Sequence, residues 1–133
     1  MDATFLAKIK SDYPEFKFRE GKRFSFCPPR TIVIGPEEEK DEMLLLHELG
    51  HALSNHKTFQ TSVERLKMER EAWEKAREIS QKYNIEFDDS LVETELDTYR
   101  DWLDKKTRCP KCRLTCYQTP DGTYHCPRCE NFS

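Results

Sequence analysis

The residues best placed to do chemistry are His47, Glu48 and His51, in the stretch DEMLLLHELGHALS at residues 41–54. They make an H-E-x-x-H pattern. On a helix, His47 and His51 are i and i+4, so both imidazoles leave one face a turn apart. Two ring nitrogens so placed can reach one zinc ion at ~2.0–2.1 Å. Glu48 lies about 100° round the helix from His47. From there it can flank the metal without binding it, the position of a general base acting on a zinc-activated water. Met43, Leu44, Leu45, Leu46, Leu49, Ala52 and Leu53 make the helix apolar on most sides, which predicts burial. Buried imidazoles and a buried carboxylate need partners, and a metal would satisfy all three. Gly50 costs ~1 kcal/mol against alanine in a helix interior. The expected return is close approach of another backbone.

A catalytic zinc usually takes three protein ligands and keeps one position for water. His56 is near, but the metzincin pattern H-E-x-x-H-x-x-G-x-x-H needs glycine and histidine where Ser54 and Lys57 stand. His56 therefore reads as a loop or helix-end residue. The next helix is expected over residues 62–83, started by the capping box of Thr61 and Glu64. Leu66, Met68, Ala72, Trp73, Ala76, Ile79 and Tyr83 form its apolar stripe. Glu69 projects near the middle of that stripe, whereas Glu71, Glu74 and Glu78 project away from it. A carboxylate aimed into an apolar face is costly unless something binds it. Glu69 is thus the expected third ligand, with Glu71 as the fallback.

The second cluster is Cys109-Pro110-Lys111-Cys112 and Cys126-Pro127-Arg128-Cys129, two C-P-x-C knuckles 13 residues apart. Such spacing predicts a tetrahedral structural zinc, with Pro120-Asp121-Gly122 turning a hairpin between the knuckles. Two zinc ions are therefore expected, one catalytic and one structural. Cys116 and His125 lie inside the module as substitute ligands, although Cys116 reads first as an ordinary strand residue, and Cys27 as an ordinary thiol. The module is locally basic, with Lys105, Lys106, Arg108, Lys111, Arg113 and Arg128. That composition admits nucleic acid as a partner, but such a cluster is more often solvated surface.

The elements that must position these residues are short. Residues 2–11 read as an amphipathic helix with Phe5, Leu6 and Ile9 on one side. Residues 16–19 and 24–26 alternate around Glu20-Gly21 in a hairpin pattern. Cys27-Pro28-Pro29 breaks it, and Thr31-Ile32-Val33-Ile34 reads as a third strand. Glu37, Glu38 and Glu39 lie in or just before the first turn of the H-E-x-x-H helix, where negative charge is favoured. A further helix is expected over residues 91–105, capped by Ser90, with Leu91, Leu96, Tyr99, Trp102 and Leu103 buried.

HELGHALS followed by Glu69-Arg70-Glu71-Ala72-Trp73 resembles the gluzincin metallopeptidases, whose third ligand is a glutamate on a second helix, commonly with a small residue three positions later. Glu69 and Ala72 match. The short format and the E-x-x-A-W signature are most similar to the minigluzincins, with the ImmA/IrrE-like peptidases close. The resemblance covers roughly residues 16–99. Many gluzincins carry aspartate one turn after the ligand glutamate; here Trp73 stands there. The resemblance implies an α+β, zincin-like domain over residues 1–105, with an N-terminal helix, about three strands, the H-E-x-x-H helix, the glutamate helix and a further helix. A zinc ribbon follows over residues 106–133. It implies a zinc metalloendopeptidase acting on a peptide or protein substrate, with His47, His51 and Glu69 on the metal. Glu48 takes the water's proton and passes it to the leaving amine. Residues 31–34 would be the edge strand that pairs with the substrate. In minigluzincins a C-terminal segment can block the cleft, so the ribbon could gate access. Tyr99 and His56 are candidate oxyanion donors.

Two other readings stay open. One is a non-catalytic module whose ribbon binds protein or nucleic acid. The other is a SprT-like protease acting on DNA-bound proteins, although that family uses a third histidine and none lies between His56 and His125.

Composition bounds all three. The chain has 133 residues, 35% charged and 36% hydrophobic, with formal net charge −3. No apolar run reaches the ~18 residues of a membrane span, and the N-terminal stretch lacks a signal-peptide core. A cytoplasmic protein is expected, with six cysteines that are reduced or metal-bound. The oligomeric state is not readable from the sequence.

Overall fold

The computed structural model describes residues 1–130. The chain is a small α+β protein with helices α1 (Ala3–Asp12), α2 (Asp41–Leu53), α3 (Ser62–Lys82) and α4 (Asp89–Lys106). Its strands are β1 (Lys17–Glu20), β2 (Ser25–Cys27), β3 (Thr31–Ile34), β4 (Tyr117–Gln118) and β5 (Tyr124–His125). Two compact units form. One joins Met1–Lys57 to Arg70–Asp88; the other joins Thr58–Glu69 to the chain from Asp89 onward. No helix among the described residues is long and apolar enough to cross a membrane.

In the first unit, Asp2 caps α1 by accepting from the Thr4 amide, and Phe5 and Ile9 are its buried residues. The sheet order is β1-β3-β2. The hairpin expected between β1 and β2 does not form. The hairpin is β2–β3, antiparallel with Phe26 opposite Ile32, and its turn is the Pro28-Pro29-Arg30 stretch that had read as a break. β1 instead pairs parallel to β3, Phe18 beside Ile32. β3 is therefore the central strand, not an edge. The physical reason lies in its composition. Neighbouring Ile32 and Val33 are both buried, as continuous apolar runs are when both faces of a strand are covered.

α2 packs on β2 and β3, burying Met43, Leu45, Leu46 and Leu49. The part of α3 in this unit contributes Ala72, Trp73, Ala76 and Ile79 to the same core. The Tyr83 hydroxyl donates to Asp12 Oδ2 at 2.5 Å, tying the end of α3 to the end of α1. Burial and the Asp12 carboxylate both hold the Tyr83 phenol above its ordinary range.

In the second unit, the α3 start is built as the capping box predicts. The Glu64 amide donates to Thr61 Oγ1 at 3.2 Å, and the Glu64 carboxylate accepts from the Gln60 amide at 2.9 Å. Those backbone donors hold Glu64 below the usual carboxylate range. α4 starts at Asp89, so Ser90 lies inside the helix and does not cap it. The Arg65 guanidinium sits over Phe59, Tyr99 and Trp102, at 5.4, 5.1 and 4.5 Å from the ring centroids. β4 and β5 form the expected hairpin. Gly122 turns it at φ +89°, where a Cβ would stand 2.7 Å from the Gln60 carbonyl oxygen. The Ser62 amide donates to Gln118 Oε1 at 2.7 Å, and the Ser62 and Tyr124 hydroxyls are hydrogen-bonded, so the hairpin is fastened to the first turn of α3.

Candidate metal centres

α2 delivers the first centre. His47 and His51 are buried, 7% and 8% exposed, and their Nε2 atoms face each other at 3.2 Å. Two ligands on a tetrahedral zinc with ~2.0–2.1 Å bonds stand about 3.3 Å apart, so the spacing fits one ion. Ligand atoms of His47, Glu48 and His51 all lie within 4.8 Å of one another. This group could hold a metal ion.

Two contacts from α3 shape the site. Trp73, 3% exposed, stacks on the His47 imidazole with centroids 4.1 Å apart and planes at 25°. Its face sets the plane in which that ring lies. Gly50 meets the α3 backbone. A Cβ there would stand 2.3 Å from the Ala72 carbonyl oxygen, so the glycine in HELGH is the residue that lets the two helices touch.

Glu69 is buried on α3 at 9% exposure, and Glu74 and Glu78 are exposed, as the stripe predicts. Glu71, expected to project away with them, is instead half-buried, because it meets His56. The Glu71 Oε2 lies 3.0 Å from His56 Nε2, and His56 Nδ1 lies 3.0 Å from His51 Nδ1.

His56 was read as an ordinary helix-end residue. It is at a helix end, but it is buried, 9% exposed, and it contacts His51 directly. The turn that carries it is a Schellman motif. Asn55 takes left-handed backbone at φ 57°. The His56 amide then donates to the His51 carbonyl and the Asn55 amide to the Ala52 carbonyl, both at 3.1 Å. The available sequence signal was Asn55, a residue that tolerates this conformation just past a helix end.

The second centre is Cys109, Cys112, Cys126 and Cys129, whose sulfurs lie within 4.8 Å of one another. Cys112 and Cys126 are in contact at 3.5 Å. The two knuckles are built alike. Cys126 Sγ accepts from the amides of Cys129 and Arg128 at 3.3 and 3.4 Å. These donors bring its thiol down to about 6. The amides of Cys112 and Lys111 likewise hold Cys109 below the ordinary thiol range. Each second cysteine is followed by a residue in left-handed backbone, Arg113 at φ 63° and Glu130 at φ 78°. Cys129, hydrogen-bonded to the Cys112 sulfur and half-buried, is pushed up to about 12. Four clustered sulfurs, two of them depressed by amide donors, are a donor set suited to a thiophilic divalent ion. Cys116 is buried outside the group and pushed up to about 11 by that burial, a strand-side thiol as expected. His125 is not in the group; its ring stacks on Tyr117 at 5.4 Å.

No protein-family model matches this chain, and no curated protein or solved structure is significantly similar to it.

Proposed function

We propose that this chain is a zinc-dependent metallopeptidase of gluzincin type, with a second, structural zinc in the four-cysteine module. The observation that carries the reading is the buried pair of facing imidazoles with the Glu48 carboxylate in the same group. A structural site has no need of Glu48; a hydrolytic one needs a base at that place.

His47 and His51 on α2 would hold that ion, and Glu69 is the third ligand that the sequence pattern proposes. A bound zinc supplies Lewis acidity, acidifying water and polarising a carbonyl. Glu48 accepts one proton of the attacking water and returns it to the departing amine; the water's other proton then passes from the new carboxylic acid to the same amine, so that cleavage leaves a carboxylate and an ammonium. Trp73 keeps the His47 ring in its plane. An extended peptide that adds to the sheet must use β1 or β2, since β3 is paired on both sides.

The test is metal content per chain in wild type and in the triple variant His47→Ala, His51→Ala, Glu69→Ala. The reading predicts about two zinc ions falling to about one, consistent with one ion per centre. One zinc in both proteins would remove the peptidase reading.

One observation favours a ribbon-centred binding role beside it. Tyr117 is 57% exposed and backed by the His125 ring, a face on which an unpaired base can stack. Single-stranded oligonucleotide binding lost in Tyr117→Ala would support that role, and wild-type protein that ignores the oligonucleotide would dismiss it.

A further inference from the structure

His51 has two ring nitrogens and the structure gives each a different neighbour. Nε2 faces His47 Nε2 at 3.2 Å, and Nδ1 faces His56 Nδ1 at 3.0 Å. His56 in turn presents Nε2 to Glu71 Oε2 at 3.0 Å. The proton placement along this row follows from one requirement. A metal ligand must offer a lone pair, so His51 Nε2 is bare and its proton sits on Nδ1. That N–H donates to His56 Nδ1, which must then be bare. The remaining His56 proton sits on Nε2 and donates to the Glu71 carboxylate. Each contact outward from His51 Nδ1 then pairs one donor with one acceptor. The other His56 tautomer would set two N–H groups against each other at 3.0 Å and turn a lone pair toward a carboxylate.

We propose that His56 and Glu71 are positioning residues for His51, a row that fixes its tautomer and ring orientation and raises the basicity of its metal-facing nitrogen. The proposal rests on the reading that His47 and His51 hold a metal. It gives Glu71, the fallback ligand by sequence, a different task, since its carboxylate lies at the far end of the row from His51 Nε2. Carboxylates commonly orient metal-binding histidines directly. Here an imidazole stands between the two, because the Schellman turn after α2 puts His56 where the ligand's outer nitrogen points. Glu71, with a side chain 38% exposed, anchors the row at the surface.

The test uses the full chain. Zinc affinity is measured by chelator competition, and cobalt(II) is substituted to read ligand geometry from its visible spectrum. The four-cysteine site serves as internal reference. His56→Ala and Glu71→Leu are expected to weaken the α2 site by about 10–100-fold, with the cysteine site unmoved. His56→Gln is expected to recover most of the loss, because its amide oxygen can accept from His51 while its NH2 donates to Glu71. If His56→Ala fails to fold, imidazole nitrogen NMR of the metal-loaded wild type decides the matter. The proposal requires protons on His51 Nδ1 and His56 Nε2, and the opposite His56 tautomer overturns it. Wild-type zinc affinity and an unaltered cobalt spectrum in folded His56→Ala would overturn the row alone. A wild type that takes up metal only at the four cysteines would overturn both the row and the metal reading beneath it.

Discussion

Gly50 and Ala72 meet backbone to backbone: a methyl group on Gly50 would stand 2.3 Å from the Ala72 carbonyl oxygen. Alanine should stabilise an isolated α2 by ~1 kcal/mol. Here the obstacle is the main chain of another helix, which cannot swing aside as a side chain can. Overpacking of this kind costs about 1–3 kcal/mol, so the clash outweighs the propensity gain. Gly50→Ala is expected to lower the urea midpoint and to weaken metal binding at His47 and His51. A midpoint equal to wild type would mean that the helices do not touch here.

Trp73 supports both the core and the site. Truncating a buried tryptophan costs about 3–5 kcal/mol, and His47 would lose the ring on which it stacks at 4.1 Å. Trp73→Phe keeps an aromatic face and should keep most of the zinc affinity; Trp73→Ala should not. Calorimetry with zinc on both variants separates the two roles, since a purely structural tryptophan would give equal affinities in whatever fraction remains folded.

Asn55 positions His56. Its φ of 57° suits glycine and asparagine and strains a β-branched residue. Asn55→Gly should be near neutral, whereas Asn55→Val should cost about 1–3 kcal/mol and loosen the His56 contact. Denaturation midpoints of the two variants, taken side by side, test this. Equal midpoints would contradict the turn described here.

In the metal-free chain, the Cys126 thiol is depressed to about 6 by its amide donors. A depressed acid stabilises the fold when ionised. Its contribution is therefore complete above the ordinary thiol range near ~8.5, shrinks as pH falls from there toward about 6, and is gone below. Cys129 and Cys116, pushed up to about 12 and about 11, act in the opposite sense. They favour the fold while neutral, and that contribution fades as pH rises above the ordinary range. Thiolate absorbance of the folded, metal-free protein should show one early ionisation near pH 6 that vanishes in Cys126→Ala and in urea. A single wave in the ordinary range would contradict the amide–sulfur geometry.

Helices were the legible part of this sequence. The periodicity that marked residues 62–83 also turned Glu69 inward and Glu74 and Glu78 outward, and burial follows that division. The cysteine spacing and the Gly122 turn were equally readable, because the contacts within that module are local in sequence. Strand pairing was not. Alternation at residues 16–19 and 24–26 shows which residues suit a sheet, but not which strand each will join. The better clue to β3 as the centre was the unbroken apolar run Ile32-Val33-Ile34. His56 escaped for another reason. Its partners are His51, one helix turn and a Schellman turn away, and Glu71 on a separate helix. Only the left-handed Asn55 brings them together.

The most direct test of the central claim is hydrolysis of a mixed peptide library by the zinc-loaded chain, compared with Glu48→Gln at matched zinc content. Loss of a general base lowers the rate by about 10²–10⁴-fold, and glutamine preserves the size of the side chain. Cleavage by wild type with that loss in Glu48→Gln is the predicted result. Equal rates in the two proteins, or no cleavage by a wild type carrying both zinc ions, would contradict the account.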